Sequence, residues 1–116
     1  MGNMSMETKR LVCVGPGVFV DPLVRADLAR DVEGAERQWL LLDDKGLRMI
    51  GLGPTQMRTL DRLAHAGLIE LYAISPRRKM LKLESWKAHL RRVAEDPEFW
   101  ERPEMRRRWR LACMTV

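Results

Sequence analysis

Residues 59–86 read TLDRLAHAGLIELYAISPRRKMLKLESW, and the stretch changes character three times. It opens as a helix: Leu60, Leu63 and Ala64, with Met57 just before them, recur at helical spacing on one face. Gln56, Arg58, Thr59, Arg62 and His65 fall on the other. Gly53-Pro54 breaks the chain ahead of this helix, Thr55 is placed to cap it, and Gly67 stops it as a C′ glycine. The helix is therefore predicted over 55–66. LIELYAI (68–74) is β-prone, SPRR turns the chain, and KMLKLE (79–84) returns, so a two-stranded ribbon with Arg77, Arg78 and Lys79 at its tip is expected. Ser85 then reads as the cap of a closing helix over 85–93, with Trp86, Leu90 and Val93 on its apolar side.

Gly51 and Gly53-Pro54 separate the 55–66 helix from a short helical turn over Leu47–Ile50, which gives a short helix, a tight turn and a second helix. Trp39–Leu42 is an apolar run too short to declare its own period, a strand or a helix ending near Asp43-Asp44. Those adjacent carboxylates read as caps and not as general acids, since no partner base accompanies them. Further back, DPLVRADLARDVEG (21–34) is predicted helical, with Asp21 as cap, Pro22 in the first turn and Val24, Leu28 and Val32 on one side. Residues 10–20 read as a short strand or arm with a turn in it, and GPGVF lacks the spacing of a phosphate loop. Beyond residue 95 the tail promises one or two helical turns around Pro103. There Trp100 and Trp109 are placed either over the domain's own core or against a second subunit.

With 116 residues the chain can bury one modest core, which argues against a large interdomain cleft. A 46% hydrophobic and 32% charged composition is that of a globular protein, and no apolar run approaches bilayer-spanning length. Residues 1–10 lack the apolar core of a signal peptide, so a cytoplasmic location is expected. Cys13 and Cys113 stand near opposite ends without a ligand-like neighbour, so no metal site, disulfide framework or cofactor is expected. His65 is read as a cap or phosphate neighbour at a helix end and His89 as a partly exposed helix residue; neither has a triad or metal-ligand spacing, so no catalytic residue is assigned and the chain is not expected to be an enzyme. The net charge is +5, and residues 54–92 alone hold nine basic residues against three acidic ones. Base gathered in one segment of a small domain favours a polyanionic partner, because each Lys or Arg that meets a phosphate releases a counterion.

The order helix, turn, helix, HAGLIELYAI, basic turn, KMLKLESWKAHL resembles the winged helix-turn-helix of the excisionase-like and MerR-like DNA-binding superfamily. The likeness covers 44–94, with 1–43 as an N-terminal extension and 95–116 as a helical tail. It implies an α+β fold, mainly α, with a two-stranded β wing, an N-terminal arm and helix, and a C-terminal helical tail. It also implies sequence-specific binding of duplex DNA, as a transcription regulator or an architectural factor in recombination. Thr55, Gln56, Arg58, Thr59 and Arg62 would then face DNA from the second helix, and Arg77, Arg78, Lys79 and Lys82 from the wing. The effector-binding half and long coiled coil of MerR regulators have no counterpart here, so no small-molecule ligand is expected. A homodimer through the C-terminal tail is the expected assembly, and a protein-interaction adaptor that uses the same scaffold and the aromatic tail is the alternative.

Overall fold

The computed structural model describes residues 11–21 and 38–116. The helix expected over 21–34 lies outside the described residues except for Asp21. The first described element is an antiparallel hairpin, β1 (Val12–Gly15) and β2 (Val18–Val20), turned by Pro16-Gly17. There follow β3 (Trp39–Leu41), α1 (Asp44–Met49), a 3-10 turn (Pro54–Gln56), α2 (Met57–His65), β4 (Leu71–Ser75), β5 (Arg78–Lys82), α3 (Leu83–Glu95), a second 3-10 turn (Phe99–Glu101) and α4 (Pro103–Thr115). The fold is α+β, with two small antiparallel sheets.

Three strands form the larger sheet in the order β3-β5-β4. Trp39–Leu42 thus resolves as a strand, with β5 supplying the backbone partners that the short apolar run could not identify for itself. Because side chains alternate across a strand, the register sorts the sheet into two faces. Leu40, Leu81 and Leu71 stand level on the inner face, whereas Leu41, Met80 and Tyr72 stand level on the outer one. Leu40 and Leu81 are buried with Leu47, Ile50, Leu60 and Leu63 of the helices, so the inner face is the one the helices cover.

Both short helices end in the same way. Ile50 and Ala66 are the last half-helical residues, and Gly51 and Gly67 follow with φ of 86° and 80°. In each, the glycine N–H reaches back three residues (Gly51 to Arg48 O, Gly67 to Ala64 O) and the next N–H reaches back five (Leu52 to Leu47 O, Leu68 to Leu63 O). That is the Schellman pattern, and it requires the left-handed conformation that glycine alone adopts freely. The start of α1 is fixed by Asp43, whose Oδ1 accepts the Gly46 N–H at 2.7 Å. Gly46 itself passes under β3, where an added Cβ would lie 1.9 Å from the Leu41 carbonyl oxygen.

Four expectations are corrected. Ser85 does not cap the closing helix, which starts two residues earlier at Leu83; its hydroxyl donates to Lys82 O (2.7 Å) and accepts the Glu70 N–H (2.9 Å). Ser85 therefore ties the start of α3 to the entrance of β4. Thr55 is likewise no N-cap but the middle of the 3-10 turn that leads into α2, where Gln56 Oε1 accepts the Gly53 N–H at 3.1 Å. The tail is a continuous 13-residue helix, since Pro103 occupies its first turn, where no intrahelical N–H is needed. His89 is fully buried in α3, not partly exposed, because the β1–β2 hairpin packs over the face of α3 that would otherwise meet water.

That hairpin is held by side chains from the second half of the chain. His89 Nε2 donates to Val14 O at 2.8 Å and Trp100 Nε1 donates to Cys13 O at 2.7 Å. Phe99 meets Trp100 edge to face at 4.9 Å between ring centroids, and Trp100 meets Trp109 at 5.4 Å. Burial pushes the His89 imidazole down to about 4. The Val14 carbonyl pulls the other way, and the Arg92 charge lowers it further. Between α3 and α4 the turn is clipped by a bidentate pair, Arg102 Nε to Asp96 Oδ2 at 2.8 Å and Nη2 to Oδ1 at 2.9 Å. These bonds hold the Asp96 carboxyl below its usual range. One core runs from Val12 to Ala112 and includes residues of the hairpin, the sheet and every helix.

Candidate nucleic-acid interface

The site is built where α2 meets the β4–β5 ribbon. Leu60 and Leu63 bury one side of α2, which turns Arg58 and His65 outward and leaves Asp61 and Arg62 half-buried between. Lys79, on the inner face of β5, reaches Asp61 with Nζ 2.6 Å from Oδ1. The ribbon is thereby fastened to the helix. Both partners are about one-quarter exposed, so the pair is neither a solvated surface bridge nor a fully desolvated one. An open cleft of about 520 Å³ lies beside it, lined by Asp61, Ala64, His65, Leu71, Ala73 and Lys79 together with Thr115 and Val116.

The nine residues expected to face DNA fall into two groups. Thr55, Arg58, Arg77 and Arg78 are exposed, and among the described residues Arg58, Arg77 and Arg78 make no ion pair. Arg77 sits in the two-residue turn with Pro76, and Arg78 opens β5, so both guanidinium groups extend from the ribbon tip. Gln56, Thr59, Arg62, Lys79 and Lys82 are half-buried. Gln56 is occupied at the 3-10 turn, and Lys79 with Asp61. Lys82 stands 3.9 Å from Glu70. Thr59 points toward the hairpin, because a Cβ at Gly15 would lie 3.5 Å from its Cγ2 and 3.3 Å from Trp109. Arg62 has its Nε buried with no hydrogen-bond partner among the described residues, so its stem is packed and only its end can reach outward.

The sequence left the role of α4 open between covering the domain's own core and meeting a second subunit. The helix packs along α2, with Met105 and Ala112 buried, and the Arg108 Nη2 lies 3.1 Å from where a Cβ at Gly67 would stand. Arg106, Arg107 and Arg110 remain exposed on its far side. The only legible signal was the pairing of Trp100 and Trp109 with a helix-forming run, and it left the direction of packing open. The tail's aromatics face inward: Phe99 is buried, and Trp100 and Trp109 pack against the core.

Cys13 and Cys113 are half-buried free thiols, and the described residues bring no three His, Cys, Asp or Glu side chains into a cluster that could hold a metal ion. Nor is any described helix long and apolar enough to cross a membrane. The arrangement offers outward arginines on one helix and one ribbon tip, held at a fixed spacing by the Lys79–Asp61 pair. No family model, curated protein or solved structure matches the chain, and a functional reading stands on this geometry alone.

Proposed function

We propose that the protein binds duplex DNA as a winged helix-turn-helix, with α1 and α2 as the helix pair, α2 in the major groove and β4–β5 as the wing. What carries the reading is the sheet order β3-β5-β4, with α1, the turn and α2 inserted between β3 and β4. This path places a short amphipathic helix beside a ribbon whose tip is basic. Arg58 and Arg62 are the side chains suited to guanine O6 and N7 or to phosphates, and Arg77 and Arg78 suit the backbone or a narrow minor groove. Thr55, at the start of the helical segment, suits a phosphate. Lys79 acts through Asp61 by fixing the angle of the wing to α2. The biological outcome of binding would be transcription control or architectural assistance to recombination.

A titration against random-sequence duplex DNA at several salt concentrations tests the proposal. Affinity is expected to fall steeply with salt, and the double substitutions Arg58→Ala/Arg62→Ala and Arg77→Ala/Arg78→Ala are each expected to weaken it. A base-contacting arginine should contribute about 1–3 kcal/mol, whereas a wing arginine on phosphate should mainly reduce the salt slope. No binding at low salt, or binding indifferent to both double substitutions, would overturn the assignment.

A further inference from the structure

We propose that two copies of this chain pair antiparallel, edge to edge, through β4, about a two-fold axis at Tyr72. Tyr72 and Ile74, which point there, are residues to which the DNA reading assigns no contact. Tyr72 and Ile74 are 61% and 52% exposed on the outer face of the sheet, and Trp39 lies against Tyr72 in an edge-to-face contact with ring centroids 6.2 Å apart. Leu41 and Met80 continue the same apolar face.

Among the described residues the edge itself is open. Lys82 donates its N–H to Glu70 O, so by alternation the backbone groups of Tyr72 turn toward β5 and those of Leu71 and Ala73 turn away from it. Among the described residues nothing bonds to that outward side, since β4 is the last strand of the sheet. Proteins ordinarily blunt such an edge with lysine, proline or a bulge. β4 reads Leu-Tyr-Ala-Ile-Ser, without charge or proline, and its register irregularity comes only after Ala73.

A second copy fits this edge better than any strand of arbitrary sequence because β4 complements itself. With Tyr72 opposite its own counterpart, Leu71 of each chain lies level with Ala73 of the other, and four outward backbone groups on each side find partners. The two Tyr72 rings meet on the outer face, and aromatic cross-strand pairs are favourable. Glu70, exposed on that face and 3.9 Å from Lys82 of its own chain, comes level with Ile74 of the partner, next to Ser75, which pairs with the partner's Arg78, so the two-fold brings opposite charges near each other twice. The axis stands normal to the sheet, so both α2 helices lie on one side of the joined six-stranded sheet. The contact is short and belongs to the weak, concentration-dependent class of interfaces.

Sedimentation velocity of the full chain across a wide concentration range, without DNA, tests the pairing separately from the DNA reading. The parent should move from monomer toward dimer as concentration rises. Tyr72→Lys sets two ammonium groups opposite each other on the axis and should weaken dimerisation at least tenfold, while the monomer loses only the Trp39 contact and still melts cooperatively. Tyr72→Cys should form a covalent dimer on mild oxidation well above the background given by the parent's Cys13 and Cys113. A parent that stays monomeric at high concentration would overturn the proposal. So would a dimer indifferent to Tyr72→Lys, or one lost only on Leu111→Lys/Met114→Lys, which would move the contact to α4.

Discussion

The ribbon of residues 70–82 and the tail of residues 99–115 are built from similar materials, aromatic and aliphatic residues among arginines, yet the fold uses them in opposite ways. In the tail the aromatics go inward. Phe99, Trp100 and Trp109 close over the hairpin and α2, and the arginines take what remains of the surface. In the ribbon only Leu71 and Leu81 are drawn into the core, while Tyr72 and Ile74 stay in water beside the basic tip. A helix with a 3.6-residue period can hide all its large apolar residues on one stripe, but a ribbon covered on one face must expose every second residue. The tail's aromatics are thus explained by folding, although Leu111 and Met114 near its end stay exposed, whereas the ribbon's outer apolar residues and tip arginines are not needed for it. The ribbon thus keeps, beside α2, exposed groups that its own folding does not require.

The largest effect should come from the inward half. Trp86, fully buried in α3, is expected to destabilise the fold by about 3–5 kcal/mol when changed to alanine, because a cavity follows the lost contacts. Urea denaturation measures this directly, and a loss below about 1 kcal/mol would mean that the packing around α3 is loose. Acid offers a gentler way to open the same region. His89 titrates near 4 in the folded chain and near 6.5 when unfolded, so at neutral pH it is uncharged in both states and shifts no equilibrium. Below pH 6.5 the unfolded chain takes up a proton that the folded chain refuses, and stability falls as the pH drops toward 4 by up to about 3 kcal/mol. Protonation would add an N–H at Nδ1, which is buried with no partner among the described residues, and Arg92 opposes the new charge. His89→Gln should flatten the pH dependence in this window; an unchanged slope would assign it to carboxylates instead.

Much of this architecture was legible in the sequence because local chemistry dictated it. Gly51 and Gly67 announced two helix ends, Asp43 a cap, and SPRR a turn between strands, and each of these signals lies within a few residues of the structure it specifies. Trp39–Leu41 was harder, since its partner β5 lies some forty positions away and only pairing reveals its period. His89 was misread for the same reason. Its own helix offers lysine and arginine neighbours, and nothing near it in the chain tells that the hairpin of residues 12–20 will lie on it. In the candidate interface, Arg58, Arg77 and Arg78 were legible as outward bases, but the engagement of Lys79 by Asp61, eighteen residues earlier, was not.

The Lys79–Asp61 pair, which ties the ribbon to α2, gives an effect of intermediate size. A double-mutant cycle with Lys79→Met and Asp61→Asn should give a coupling of about 1 kcal/mol or less in stability, as befits a partly solvated pair. On DNA, Lys79→Met should weaken binding more than Lys82→Met, because the wing loses its fixed angle to α2 as well as one positive charge. Equal effects would make Lys79 a simple phosphate neighbour, with no part in setting the angle.

The smallest effect is the most discriminating. Ile74→Thr keeps β-branching while removing apolar surface, and should change the stability of the monomer by no more than about 0.5 kcal/mol. Tyr72→Ala additionally gives up the contact with Trp39 and should cost roughly 0.5–1 kcal/mol. Both values are small beside that of Trp86→Ala, although all three residues are large and apolar, because exposed side chains have little burial to lose. If either ribbon substitution instead cost as much as a core residue at low protein concentration, the outer face would have to be covered in the folded monomer, and the contrast between ribbon and tail would collapse. If the costs are small but grow with protein concentration, the missing burial comes from a second molecule, which is the behaviour that pairing through β4 requires.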